Sequence, residues 1–301
     1  MATLIQVVGA GRSGTTMLHL ILGSAPRAFA CGEIYAWYRP WRSYHYAGDC
    51  RCGEKPCPVM TRIQANPPRA AHAFIARELG AQFVVDSSKD WCWLLDARNW
   101  AVAEGLNVAT LVVFKDPVSL AHSYWKRGKG LWGWRRVFLN FHNRLRATGV
   151  PFRSLDYHGF VSDPEAKLAD VCRALGMEHQ PSMLRFWERT HHYLFGSQGA
   201  FEQVRDGRST IRRSETFQPG FTRHEEEVRE RVEQDAAVRT HLQALREREV
   251  SGAGPLSPAE ARAGASLPFP AWYYALRVKQ AARRWSYRLA PRSPRAHPRR
   301  T

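Results

Sequence analysis

Near its start the chain carries the run Gly9-Ala10-Gly11-Arg12-Ser13-Gly14-Thr15-Thr16. A short apolar, β-branched segment, Leu4 to Val8, leads into it, and a periodic apolar stretch, Thr15 to Leu22, follows at once. Strand, tight glycine turn and helix in that order open an α/β unit. Glycines let the backbone fold around an anion, and the N–H groups of the first helical turn point at it. Arg12 adds a charged fork, while Ser13, Thr15 and Thr16 add hydroxyl donors. The run therefore predicts a phosphate site. A loop that serves a nucleoside triphosphate reads Gly-x-x-x-x-Gly-Lys-Ser/Thr, and here Thr15 stands in the lysine position. That lysine serves the β- and γ-phosphates, and the next hydroxyl holds magnesium. Its loss points to a phosphate chain that ends sooner and is handled without a metal.

The rest of the chain repeats the alternation. Phe83 to Val85, Leu111 to Phe114 and Phe152 to Tyr157 read as short buried strands. Trp93 to Glu104 and Pro164 to Leu175 read as helices, the second stopped by Gly176. Thr222-Arg223-His224-Glu225 has capping-box spacing and opens a charged helix expected to run to about Arg248. Short strands between helices predict a parallel sheet covered on both faces, an α/β fold. The expected organisation is one domain over residues 1–250, a Gly/Ala/Ser/Pro-rich linker over 251–270, and a basic amphipathic helix with a disordered tail over 271–301.

The formal charge is +17, and from Phe269 to Thr301 there are nine Lys or Arg residues and no Asp or Glu. Such a balance suits a phosphorylated nucleotide, an acidic substrate, an anionic membrane or nucleic acid. The basic residues are not arrayed along one element and no nucleic-acid module is recognisable, so a nucleic-acid partner is not expected. In the tail, Ala275, Val278, Ala282, Trp285 and Leu289 form an apolar stripe, with Arg277, Lys279, Arg283, Arg284 and Arg288 around it. Two roles fit this pattern: peripheral contact with an anionic membrane, or docking on the protein's own body. Nothing resembles an apolar run of eighteen residues, and Thr3 to Val8 reads as a core strand instead of a leader, so the expected location is cytoplasmic.

Three of the six cysteines cluster as Cys50, Cys52 and Cys57, with Cys31 or His45 as candidate fourth ligands for a zinc ion. The paired Cys-x-x-Cys spacing is absent, so free thiols are the expectation and no metal is assigned. Trp91, Trp93, Trp125, Trp132 and Trp134 lie beside the phosphate and strand-end motifs, where they fit either a buried core or an acceptor cleft.

Four motifs in register carry a resemblance that spans Thr3 to about residue 200. Arg12-Ser13-Gly14-Thr15-Thr16 resembles the 5′-phosphosulfate loop of sulfotransferases that use 3′-phosphoadenosine-5′-phosphosulfate (PAPS). Cys31-Gly32-Glu33 resembles a motif of tyrosylprotein sulfotransferases, which implies Glu33 as catalytic base. Asp86-Ser87-Ser88-Lys89 resembles the segment that supplies a catalytic lysine, here Lys89. Lys115-Asp116-Pro117 with Ser123 resembles the 3′-phosphate site, usually written with arginine in place of Lys115. The resemblance implies a P-loop-like three-layer fold and PAPS as co-substrate without a metal. Its implied catalytic set is Glu33, Lys89 and Arg12; Arg12, Ser13, Gly14, Thr15, Thr16, Lys115 and Ser123 would bind the donor. A hydroxyl acceptor, whether carbohydrate, lipid, natural product or peptide tyrosine, is left open. His192 to Ser197 is similar to a His-x-x-x-Gly-Asn segment that closes over the nucleotide, with Ser197 in place of the asparagine. Arg205, Arg208, Arg212 and Arg213 are the candidates for its missing arginine. The alternative within enzymes is a phosphotransferase of the same phosphate-loop group, against which Thr15 argues.

Overall fold

The computed structural model describes residues 1–38, 50–207, 211, 217–257, 259–260 and 268–289. Five parallel strands, β1 (Thr3–Val8), β2 (Ala28–Gly32), β3 (Phe83–Asp86), β4 (Asn107–Phe114) and β5 (Arg153–Asp156), form one sheet in the order β2-β3-β1-β4-β5. β1 lies at its centre, with Thr3 in register with Phe83 on one side and Asn107 on the other. Successive side chains of a strand point to opposite faces. Ile5 and Val7 accordingly pack under the helices Thr15–Gly23 and Pro164–Leu175, while Leu4 faces Trp93 and Ala97 of the helix Trp91–Ala103. Burial on both faces explains why β3 and β4 read as near-continuous apolar runs. The connection from β1 turns toward β2, and that from β4 turns toward β5. The crevice at the carboxyl ends of β1 and β4 is therefore the topological switch point, where open α/β sheets bind ligands.

Several elements depart from expectation. β2 was not legible as a strand. The helix Gly133–Thr148 also went unpredicted; its stop is Gly149 in the left-handed conformation. The charged helix opens at Pro219, not at Thr222, because proline at the first helical position starts it early. It ends at Gln234, where the Asp235 carboxylate accepts from Val238 N–H at 3.2 Å and starts a separate helix, Ala236–Arg246.

The helix Ala271–Leu289 docks on Trp91–Ala103 through a face other than the expected stripe. Tyr273 Oη donates to Asp96 Oδ1 at 2.5 Å, Arg277 pairs with Asp96 Oδ2 at 3.2 Å, and Gln280 donates to Asp90 at 3.0 Å. Those carboxylates select the polar-tipped face, leaving Val278 and Trp285 71% and 68% exposed. The described part of the linker is tied to the body by Leu256 N–H on Ala174 O and by Arg153 on Glu260. His45, Arg208, Arg212, Arg213 and residues 290–301 lie outside the described residues. No helix among the described residues is long and apolar enough to cross a membrane.

Candidate active site

The loop after β1 takes the shape that its glycines demand. Gly14 has φ +101°, and a Cβ there would meet Tyr157 Cδ2 at 2.2 Å. Arg12 has φ 80° without being glycine. Such conformations persist where surrounding structure over-determines them, and they cluster at ligand sites. No side chain caps the first helix, Thr15–Gly23, and Thr15 and Thr16 open with Gly11, Arg12 and Gly14 onto a cavity of about 660 Å³. Ser13 departs from the expected role. Its side chain is buried behind the loop, where a Cβ on Gly9 would lie 2.3 Å from Ser13 Oγ, and it does not line the cavity.

Arg12, Lys115 and Tyr157 also line an adjoining cavity of about 330 Å³, together with Ser123, Lys126 and Arg127. Asp116 caps the helix Pro117–Trp125 by accepting from Ser119 N–H at 3.0 Å, and that helix carries Ser123 round to Lys115. Lys115 and Ser123, the two positions that the resemblance pairs, thus line the same cavity. Lys126 and Arg127 were missed, although they follow Ser123 by about one helical turn, which was the available signal. The Lys115 ammonium sits 4.0 Å from the Tyr157 ring centroid. Burial, then repulsion from Arg12 and Arg127, pushes Lys115 down to about 8 against the weaker pull of Asp116 and Asp156. Arg12 is also lowered, first by burial and then by Arg127. Cations crowded and desolvated in this way are relieved by an anion bound among them.

At the far wall of the larger cavity, Lys89 Nζ donates to Glu33 Oε1 at 2.5 Å. The two residues come from the ends of neighbouring strands. Glu33 follows β2, and its backbone N–H donates to Leu194 O at 2.9 Å. Gly32 sits so close to Leu194 that a Cβ would lie 2.3 Å from the carbonyl oxygen, and its N–H donates to His19 Nε2 at 2.9 Å. Lys89 follows β3 through a turn fixed by buried Asp86. That carboxylate accepts from Ser88 N–H at 2.7 Å and Trp93 Nε1 at 2.8 Å, and pairs with His72 Nε2 at 3.0 Å. Burial alone would raise Asp86, but these hydrogen bonds outweigh it and hold the carboxyl below its ordinary value. The sequence indicated both Glu33 and Lys89, but not that they form an ion pair.

The segment before the helix Gln198–Arg205 closes this wall. Phe195 has φ 55°, and Ser197 N–H donates to Thr16 Oγ1 at 3.1 Å, so the segment is fastened to the start of the helix that follows the glycine loop. Gly196 and Ser197 line the cavity. Arg205 does not; it is exposed and paired with Asp206 at 2.7 Å. A histidine can also act as a general base. His19 is fully buried, lowered to about 3 chiefly by desolvation, and its Nε2 is occupied by Gly32. His122 packs against Phe217 and Phe221, and His192 lies beside Cys57. Of the tryptophans, Trp93 and Trp134 are core, and among the described residues none lines the larger cavity.

No family model and no curated protein matches this chain. Solved structures similar to it include the sulfotransferase domain from the curacin biosynthetic pathway, 14% identical, covering 76% of this chain and 98% of that one at a TM-score of 0.44. The sulfotransferase domain of the Synechococcus PCC 7002 olefin synthase is 14% identical and covers 96% and 95%, at 0.41. A sulfotransferase from Alicyclobacillus acidocaldarius is 18% identical and covers 61% and 88%, at 0.37.

Proposed function

We propose that this chain is a sulfotransferase that moves a sulfonate group from PAPS to a hydroxyl acceptor. The observation that carries this reading is the pair of adjoining basic cavities that share Arg12 and Lys115, with the Glu33–Lys89 pair on the far wall of the larger one. A donor with a phosphate at each end of its ribose fits two separate anion sites. A nucleoside triphosphate, with its charge strung along one chain, fits one. The 5′-phosphosulfate belongs on the glycine loop and the helix N-terminus; the 3′-phosphate belongs with Lys115, Ser123 and Arg127.

Sulfonyl transfer is an in-line displacement, so the protein must align the partners, take one proton and neutralise one leaving oxygen. The acceptor oxygen attacks sulfur while its proton passes to the Glu33 carboxylate. The bond from sulfur to the 5′-phosphate oxygen breaks, and Lys89 and Arg12 take up the charge that develops there. In the free protein Lys89 holds Glu33, so an arriving hydroxyl takes over the carboxylate as Lys89 turns to the leaving oxygen. Beside Lys89 a smaller cavity of about 120 Å³ is lined by Arg144, Lys279 and Arg283, with Asp90 as its one acid among the described residues. Those cations favour an acceptor whose hydroxyl lies near an anionic group.

Thermal shift with adenosine 3′,5′-bisphosphate, ATP–magnesium and an oligonucleotide tests the donor assignment. Stabilisation by the bisphosphate at micromolar concentration is expected. Stabilisation by ATP–magnesium or the oligonucleotide alone would overturn it.

A further inference from the structure

The cysteine cluster acquires its fourth ligand only in three dimensions. Cys50, Cys52, Cys57 and His192 each present one ligand atom, and these atoms all lie within 4.8 Å of one another. Cys57 Sγ is 3.3 Å and Cys50 Sγ 4.0 Å from His192 Nδ1. In tetrahedral zinc, bonds of about 2.3 Å to sulfur and about 2.0 Å to nitrogen set sulfur and nitrogen roughly 3.5 Å apart, and the two observed separations bracket that value. None of the three cysteines is in a disulfide. Cys31, a candidate from the sequence, is elsewhere, with Sγ 3.1 Å from Val85 O in the sheet.

We propose that Cys50, Cys52, Cys57 and His192 form a structural zinc site that pins the Cys50–Cys57 segment to the wall of the active site. Three thiolates and one imidazole are a soft ligand set that suits zinc over magnesium or calcium. Four protein ligands close the tetrahedron, which marks a structural site and leaves no position for water. The surroundings orient the ligands. The His192 ring lies parallel to Phe29 with centroids 6.5 Å apart, and Met60 N–H donates to Cys57 Sγ at 3.4 Å, supporting negative charge on that sulfur. Arg51 N–H donates to Tyr193 O at 3.1 Å, so the backbones already meet where the metal would join them.

The position gives the metal its purpose. His192 is two residues before Leu194, the residue whose carbonyl accepts the Glu33 N–H and which pairs with Gly32. Five residues on from His192, Ser197 is hydrogen-bonded to Thr16 at the start of the helix that follows the glycine loop. A zinc crosslink between Cys57 and His192 therefore braces the segment that holds the Glu33 backbone. The inference is independent of the reaction assigned to the site.

The test uses the full chain, purified under reducing conditions without chelator. Elemental analysis should give about one zinc per chain, and X-ray absorption three sulfurs at about 2.3 Å with one nitrogen at about 2.0 Å. Cobalt substitution should produce the visible bands of a tetrahedral thiolate site. Cys52→Ser and His192→Ala should abolish stoichiometric zinc, and Cys172→Ala, in a distant helix, should keep it. If a variant fails to fold, the cobalt spectrum and absorption data on the unmodified chain still decide. Reduced, folded protein that takes up neither zinc nor cobalt overturns the proposal. A bound zinc whose shell lacks the nitrogen, or is unchanged in His192→Ala, does the same.

Discussion

On the proposed function, Lys115 makes donor binding depend on pH in a direction set by its surroundings. Its ammonium is buried and repelled by Arg12 and Arg127, so it loses its proton near pH 8 in the ligand-free protein instead of near 10.5. A phosphate favours the charged form, so binding takes up a proton as pH climbs above about 8. With only the protonated form competent, affinity for adenosine 3′,5′-bisphosphate falls roughly thirtyfold from pH 7 to 9.5, about 2 kcal/mol. Nearby Tyr124 and Tyr157 are pushed above their ordinary value, chiefly by burial, and do not titrate in this window. The ligand-free protein should show the opposite trend: the cost of burying a charged lysine fades as pH rises from about 8 toward 10.5. Titration calorimetry across the range measures the slope. Lys115→Arg, charged throughout, should flatten it. A flat profile in the unmodified chain, or the same slope in Lys115→Arg, would refute the reasoning.

Arg12→Ala and Lys115→Ala should each weaken bisphosphate binding by about ten- to a hundredfold, the usual worth of a charged phosphate contact, measured by the same calorimetry. Glu33→Gln should leave that affinity within a few fold and cut turnover by roughly a hundredfold or more. An acidic acceptor such as a nitrophenol should partly rescue Glu33→Gln but not Lys89→Ala, because the lysine acts on the other side of the sulfur. Steady-state rates with both acceptors check this. Gly14→Ala should lower both the melting temperature and donor affinity, since it costs about 1–3 kcal/mol in backbone strain and displaces the Tyr157 ring from beside Lys115. Unchanged melting would show that the loop relaxes around a Cβ.

What could be read in advance was local. Strand, glycine turn and helix are written within the first two dozen residues, and Gly176 stops its helix where expected, in the left-handed conformation. The sheet's outer strand β2, Ala28–Gly32, was not legible because it is five residues long and contains two alanines and a glycine. The break at Asp235 was hidden inside a continuous charged pattern, where a capping aspartate looks like any other acid. Long-range partners were out of reach altogether. The ion pair of Glu33 and Lys89 joins residues 56 apart, and Cys57 meets His192 across 135. Neither separation carries a periodicity: the first arises because the neighbouring parallel strands β2 and β3 end side by side, the second because the His192 segment returns to lie against Phe29 of β2.

Incubating the chain with PAPS and 4-nitrophenol, with both products followed by mass spectrometry, tests for sulfonyl transfer itself. Nitrophenyl sulfate and adenosine 3′,5′-bisphosphate should appear in equal amounts, with Arg12→Ala nearly silent. Adenosine 5′-phosphosulfate, which lacks the group assigned to Lys115 and Ser123, should be a much poorer donor. Equal turnover of the two donors, or donor binding without any sulfated product, would rule out the proposed reaction.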